Sequence, residues 1–222
     1  ELELISRMRP GLIQLEIGVQ STNTETIRAI RRKMDLKRLR YVVERINAGK
    51  NVHQHLDLIA GLPFEDYESF GRSFNEVYSM EPEQFQLGFL KVLKGSYMHD
   101  MVEEYGLKYR GKAPYEVLST KWLPYSDVLR LKGVEDMVEV YYNSRQFLRT
   151  LKLFEQEFES AFAMYEYMAQ YYDEQHLTGL NHSRLARYEI FHDLIGQKVE
   201  PEQMGAFEDA LMCDLYFREN AK

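Results

Sequence analysis

Two histidines and an aspartate alternate in His53-Gln54-His55-Leu56-Asp57. On an extended strand successive side chains point to opposite faces, so His53, His55 and Asp57 line one side together. Imidazoles at i and i+2 can reach one zinc ion with a carboxylate alongside, the equipment of a metal-dependent hydrolase. The plainer alternative is an interior histidine pair whose hydrogen bonds are met within the protein. Upstream, the run from Ile13 to Gln20 alternates in the same way. Ile13, Leu15, Ile17 and Val19 share an apolar face, and Gln14, Glu16, Gly18 and Gln20 share the other. Burying Glu16, His55 and Asp57 without partners is costly. They must either satisfy one another or border a space that ligand and water fill. Between the two segments lies Arg31-Arg32-Lys33. Such a run is ordinarily a solvated turn, but beside strand ends one guanidinium can fold back and grip a carboxylate through two hydrogen bonds.

The elements that must position these groups are set by periodicity and punctuation. Gly18-Val19-Gln20-Ser21 closes a first strand over residues 12–19. Asp57-Leu58-Ile59-Ala60-Gly61-Leu62-Pro63 closes a second over 51–60. Thr22 or Asn23 caps a helix that carries Ile27, Ile30 and Met34 on one side. After Asp35, Leu39, Val42, Val43 and Ile46 recur at helical steps, and Gly49 is expected to supply a left-handed stop. Pro63 and the acidic Phe64-Glu65-Asp66 open a third helix with Phe70, Phe74, Val77 and Tyr78 on its apolar face. Pro82 closes it, and residues 85–93 form a third strand. Strands alternating with helices at this interval imply a parallel sheet. Ligands of such sheets bind at the carboxyl ends of the strands.

After about residue 97 the composition turns to Tyr, Phe, Met and Glu, with a strand signal only at 115–118. Phe147, Leu151, Phe154, Phe158, Phe162, Tyr165, Ala169 and Tyr172 recur at steps of three or four. They predict one long amphipathic helix with room for a single break. Further helices are expected over 181–195 and over 201–217, the latter with Pro201 in its first turn. The aromatic stripe reads as core packing before it reads as a cofactor-lining face. The expected class is therefore α/β. A parallel βαβαβ half occupies 1–97 and a mostly α-helical domain 98–222.

Composition removes several functions. The formal net charge of −7 disfavours a general nucleic-acid binder, since phosphate contacts need a basic footprint. No apolar run approaches the ~18 residues that a membrane span needs. Cys213 is the single cysteine, which excludes an internal disulfide and any cysteine-only metal cage, and suits a reducing cytoplasm. It is read as a small core residue. The opening residues have neither an initiator Met nor a signal-peptide layout. The expectation is a piece of a longer polypeptide.

The order Gly18-Val19-Gln20-Ser21, Ile30-Arg31-Arg32, Asp57-Leu58-Ile59-Ala60-Gly61-Leu62-Pro63 and Glu68-Ser69-Phe70 resembles radical S-adenosylmethionine enzymes. The nearest look-alikes are oxygen-independent coproporphyrinogen III oxidase and the cobalamin-type branch, which includes the anaerobic magnesium-protoporphyrin monomethyl ester cyclases. The resemblance covers residues 11–97. It implies strands four to six of a partial TIM-type (β/α)6 barrel. It also implies that Gln20 lies beside the S-adenosylmethionine nucleoside, that Arg32 grips the methionyl carboxylate, and that Asp57 hydrogen-bonds the ribose region. Ile59, Gly61, Leu90 and Lys91 would border the adenine with their main chain.

Members of the family hold a [4Fe-4S] cluster with three cysteines in a C-x3-C-x2-C loop, and this sequence departs from that pattern because Cys213 stands alone. The resemblance therefore implies that the cluster ligands lie outside this chain, in the rest of its own polypeptide. This chain would orient the cofactor for reductive cleavage to a 5′-deoxyadenosyl radical, and alone it should be inactive. The cyclase-like members extend the expectation to a small-molecule substrate of tetrapyrrole type and an upstream cobalamin domain. Two other readings stand beside it: the metal-dependent hydrolase using His53, His55 and Asp57, and a non-catalytic interaction module built on the aromatic helices.

Overall fold

A computed structural model describes residues 1–219. The chain divides into two compact units, Glu1–Glu135 and Asp136–Lys222. In the first, a short helix α1 (Leu2–Ser6) precedes β1 (Gln14–Gln20), α2 (Thr24–Ala29), α3 (Leu36–Asn47), β2 (His53–Ala60), α4 (Tyr67–Tyr78) and β3 (Gln84–Phe89). The three strands form one sheet in the order β1-β2-β3, and both pairings are parallel. This is the α/β arrangement that the alternation of strand and helix signals implies.

The two faces of the sheet differ as the alternation requires. Leu56, Leu58 and Ala60 of β2 and Phe85, Leu87 and Phe89 of β3 are buried. Over this face lies the apolar side of α4, with Phe70, Phe74 and Val77 fully buried and the Phe74 and Phe85 rings 5.0 Å apart. Gln54, the one polar residue of β2 on that side, is held there by its amide nitrogen. It donates to Val43 O at 3.1 Å and Asn47 Oδ1 at 2.6 Å. On the opposite face Gln14, Glu16, His53 and Gln86 are exposed and His55, Asp57 and Gln84 are half-buried.

Helix boundaries follow local chemistry. Asn23, Asp35 and Asp66 each accept backbone N–H groups at the starts of α2, α3 and α4. The left-handed residue after α3 is Lys50 (φ 50°), not Gly49. Gly49 is needed instead because a Cβ there would sit 2.6 Å from Asn51 Oδ1. The amide nitrogen of Asn51 ties down Ile5 O and Met8 O. The third strand also stops earlier than expected, at Phe89.

Beyond β3 come α5 (Tyr97–Asp100), α6 (Val102–Tyr105), and the antiparallel pair β4 (Lys108–Tyr109) and β5 (Val117–Ser119). The composition changes near residue 97, yet the chain stays in the first unit to Glu135, and hydrogen bonds give the reason. Val92 N donates to Tyr115 O, Val117 N donates to Leu90 O, and Lys91 bridges Glu116. Helix α7 (Tyr125–Met137) then leads into a π-helical turn over Val138–Asn143.

In the second unit the expected amphipathic helix takes the single break allowed for it and forms two helices. Helix α8 (Leu148–Phe154) ends in a 3₁₀ turn at Glu155–Glu157, and α9 (Ala161–Glu174) restarts with Ser160 as cap. Ser160 accepts the N–H of Ala163, which favours a new helix start over continuation. The aromatic stripe is core. Tyr141, Phe147, Phe154, Tyr165 and Phe191 are buried, with Tyr141 packed on Phe191 at 4.7 Å and Phe147 on Tyr188 at 4.5 Å. Helix α10 (Arg184–Gly196) and α11 (Met204–Glu219) complete the unit, and Pro201 lies in the turn before α11 rather than inside it. Asp214 of α11 reaches the start of α8, accepting from Thr150 N and Thr150 Oγ1, both at 2.9 Å. Phe207, Leu211 and Asp214 mark the buried side of α11, so Cys213 falls on the outer side and is exposed rather than in the core. Among the described residues no helix is long and apolar enough to cross a membrane.

Candidate site at the carboxyl ends of the parallel strands

Gly18, Arg32 and Asp57 meet at the top of β1 and β2, although they are far apart in sequence. Parallel pairing sets Gly18 directly beside Asp57. Arg32 arrives by a turn: Arg31 adopts a left-handed conformation (φ 58°), and Arg32 N returns to Ile27 O at 2.9 Å, ending α2. The guanidinium then folds over the strand, with Nη2 donating to Gly18 O at 2.8 Å. Arg31 points elsewhere and stacks on the Tyr97 ring at 3.8 Å. The basic run thus contains a site residue, Arg32, and a packing residue, Arg31.

Glycine at position 18 leaves a small cradle. A Cβ there would lie 3.5 Å from Arg32 Nη1 and 3.6 Å from Asp57 Oδ1. The Asp57 carboxylate accepts the backbone N–H groups of Val19 and Gln20, yet its buried Oδ1 has no hydrogen-bond partner. Burial raises the Asp57 pKa, opposed by those two N–H groups and then by the charges of Arg32 and His55. An acceptor-only oxygen and a free face of guanidinium therefore border a position without a side chain. The arrangement can take a ligand hydroxyl or amine on one side and a carboxylate on the other.

Gln20 sits at a slip in the β1–β2 register with a left-handed backbone (φ 67°), uncommon for a residue with a side chain. Strained backbone of this kind collects at functional sites. Ile59 lies on the same face of β2 as Asp57, beside Gly88. Gly61 (φ 85°) is closed in from one side, since a Cβ would meet Val117 Cγ1 at 2.6 Å. Leu90 and Lys91 follow the end of β3. Leu90 N donates to Ala60 O and Leu90 O accepts from Val117 N, while Lys91 O accepts from Leu93 N. Their main-chain bonds therefore join strand ends together.

One group escaped the sequence reading. Glu65, taken only as part of an acidic helix start, is 1% exposed and precedes the helix. Its Oε1 accepts from Ser21 Oγ at 2.7 Å and Ser73 Oγ at 2.8 Å. Ser21 Oγ in turn accepts Asn23 N, and Ser73 Oγ accepts Thr22 N, so both hydroxyl protons are committed to Glu65. Asn23 Nδ2 donates to Phe64 O and Thr26 Oγ1 to Pro63 O, at 3.0 and 2.9 Å. Together these bonds clamp the loop after β1 to the loop after β2. Burial raises the Glu65 pKa to about 7 against both serine hydrogen bonds, and its Oε2 has no partner. The two serines at positions 21 and 73 were the available signal, but only tertiary contact pairs them with a carboxyl.

The metal-hydrolase reading finds no matching geometry. Among the described residues, no group of three or more His, Cys, Asp or Glu side chains is placed to hold a metal ion.

A family model described as a protein of unknown function (DUF4080) matches residues 103–222. No curated protein matches the chain. A solved structure described as coproporphyrinogen III oxidase (HemN) from Escherichia coli, a radical SAM enzyme, is similar at 21% identity and a TM-score of 0.45. The similarity covers 63% of this chain and 30% of that one, so the chain spans less than a third of its length.

Proposed function

Because the chain belongs to the DUF4080 family, whose description names no activity, we propose its function from the strand-end site. Unit Glu1–Glu135 binds and orients S-adenosylmethionine as the C-terminal portion of a radical S-adenosylmethionine oxidoreductase. One observation carries this reading: Arg32 and the partnerless Asp57 Oδ1 flank the empty side of Gly18. The cofactor has matching groups, a carboxylate for the guanidinium and ribose hydroxyls for the carboxylate. Gln20 and the register slip beside it lie at the strand end where a nucleoside would bind.

The residues fit S-adenosylmethionine, but they do not fit an iron–sulfur cluster. A [4Fe-4S] cluster takes several thiolates and the sequence has one cysteine. In the complete enzyme, cofactor and cluster together would supply hydrogen-abstracting radical chemistry. This chain's part is positional. Arg32 fixes one end of the cofactor, Asp57 fixes the other, and the Glu65 clamp keeps the two loops from separating. Within this class, the motif order over residues 11–97 supports a cyclase-like enzyme with a tetrapyrrole substrate and a cobalamin domain elsewhere in the polypeptide. That narrower reading has no support from the geometry of the site.

Calorimetric titration with S-adenosylmethionine tests the proposal. Arg32→Ala and Asp57→Asn should each weaken binding about tenfold, the loss of one hydrogen bond to a charged group. Absence of binding to the unaltered chain, or binding by both variants as tight as that of the unaltered chain, would end it.

A further inference from the structure

The open face of the sheet continues below the Gly18 cradle, and its chemistry is distinctive. Register sets Glu16 beside His55 and His55 beside Gln84, while Asp57 lies beside Gln86. His53 and Gln14 form the next row down. Parallel sheets ordinarily bury apolar residues on both faces. Here one face follows that rule and the other is polar over the rows from His53 to Asp57, ending at Ile59 and Gly88. His55 has an additional property: its Nε2 is buried and has no hydrogen-bond partner. A buried ring nitrogen in this state loses its hydration without compensation unless something else occupies the space before it.

We propose that this part of the open face, centred on His55 with Glu16 and Gln84 in its row and Gln86 in the next, is a second ligand subsite for a neutral molecule bearing hydroxyl or amide groups. The inference rests on the S-adenosylmethionine reading of the strand ends and assigns the space beneath it to the substrate. The side chains decide the class. Glutamine amides offer both a donor and an acceptor, and an imidazole ring adds a further hydrogen-bonding nitrogen, which suits hydroxyls and amides. Glu16 and Asp57 are the formal charges along these rows, and both are negative. Arg32 stands at the rim and bonds Gly18 O. A ligand carrying several carboxylates would meet two carboxyl side chains with no lysine or arginine in the rows beneath it. A polyol or a peptide-like amide meets complementary groups in every row.

Saturation-transfer NMR on the chain provides the test, with three probes: glucose, N-acetylglycinamide and tricarballylate. Glucose or N-acetylglycinamide should receive saturation from the protein and tricarballylate should not. His55→Ala should weaken the neutral probe about fivefold, the loss of one hydrogen bond. His55→Gln, which restores an amide at the same reach, should recover most of that loss and guards against a folding artefact. Equal binding of tricarballylate, no binding of either neutral probe, or a His55→Ala variant indistinguishable from the unaltered chain would overturn the proposal. Calorimetry with S-adenosylmethionine separates the two claims. Binding retained in His55→Ala supports a distinct subsite, whereas binding lost there would return His55 to the cofactor site and overturn it. If the unaltered chain binds a neutral probe but not S-adenosylmethionine, the cofactor reading fails and the subsite's ligand class stands on the probes.

Discussion

Half-buried Asp57 and buried Glu65 are carboxylic acids a few residues apart whose neighbours give them different tasks. For Asp57 burial raises the pKa, two backbone N–H groups and a nearby guanidinium oppose that rise, and one oxygen is left for a ligand. Glu65 has two serine hydroxyls against nearly complete burial, and its pKa rises to about 7. The consequence for stability has a definite sign. The folded pKa lies above the ordinary value of 4.5, so the Glu65 contribution is complete below pH 4.5 and is lost as pH rises towards 7. At ~1.4 kcal/mol per pH unit, the loss is on the order of 3 kcal/mol across that window. Glu65→Gln keeps the acceptor for both serines and has no proton to lose. Urea unfolding at intervals from pH 4.5 to 8 should show a gap between variant and parent that grows in the variant's favour, and parallel curves would contradict the assignment. Gly18 makes a separate residue-level claim. A methyl group there meets only ordinary contacts at 3.5–3.7 Å. Gly18→Val should therefore fold, yet fill the cradle and lower S-adenosylmethionine affinity about tenfold or more by calorimetry.

At the level of elements, three loops define the site and each is fixed by a different device. The loop after β1 is held by the Glu65 clamp, and the end of α2 by the left-handed Arg31. The loop after β2 turns at Gly61, whose φ of 85° and 2.6 Å approach to Val117 exclude any side chain. Gly61→Ala should cost about 2 kcal/mol or more in urea unfolding, from backbone strain and the clash together. Adding Val117→Ala should return the clash component alone, and a fully additive double variant would show that Val117 is not the obstacle. The strands and the capped helices were legible because period-two alternation and Asn or Asp caps are local signals. The end of β3 was not legible because a partner of the segment after it, Val117, comes later in the chain. The helical periodicity left room for one break, but only the structure locates it at Glu155–Glu157, between α8 and α9.

For the whole molecule, one exposed thiol and a sheet with one polar face limit what the chain can do. Cys213 should react fully with a thiol reagent in the native state. Anaerobic reconstitution with iron and sulfide should yield no stoichiometric cluster band, and such a band would refute the assignment of the cluster ligands to another part of the polypeptide. The division of the chain at Glu135 rather than near residue 97 is also a whole-molecule property. Residues 98–135 resemble the helical half in composition, but their backbone bonds go to Leu90, Lys91 and Val92 at the end of β3.

Alternation, caps and motif order by themselves specified a parallel α/β half, a helical aromatic half, and Arg32 and Asp57 as candidates for one site. These features depend on neighbours within a few residues, or on the spacing of whole elements, and a linear chain records both. Only the tertiary structure decided that Gly18 separates Arg32 from Asp57, that Glu65 is buried between two distant serines, and that His55 Nε2 has no partner. Each depends on desolvation and on contacts between strands and loops tens of residues apart, where the energy of a polar group is set by what surrounds it in space.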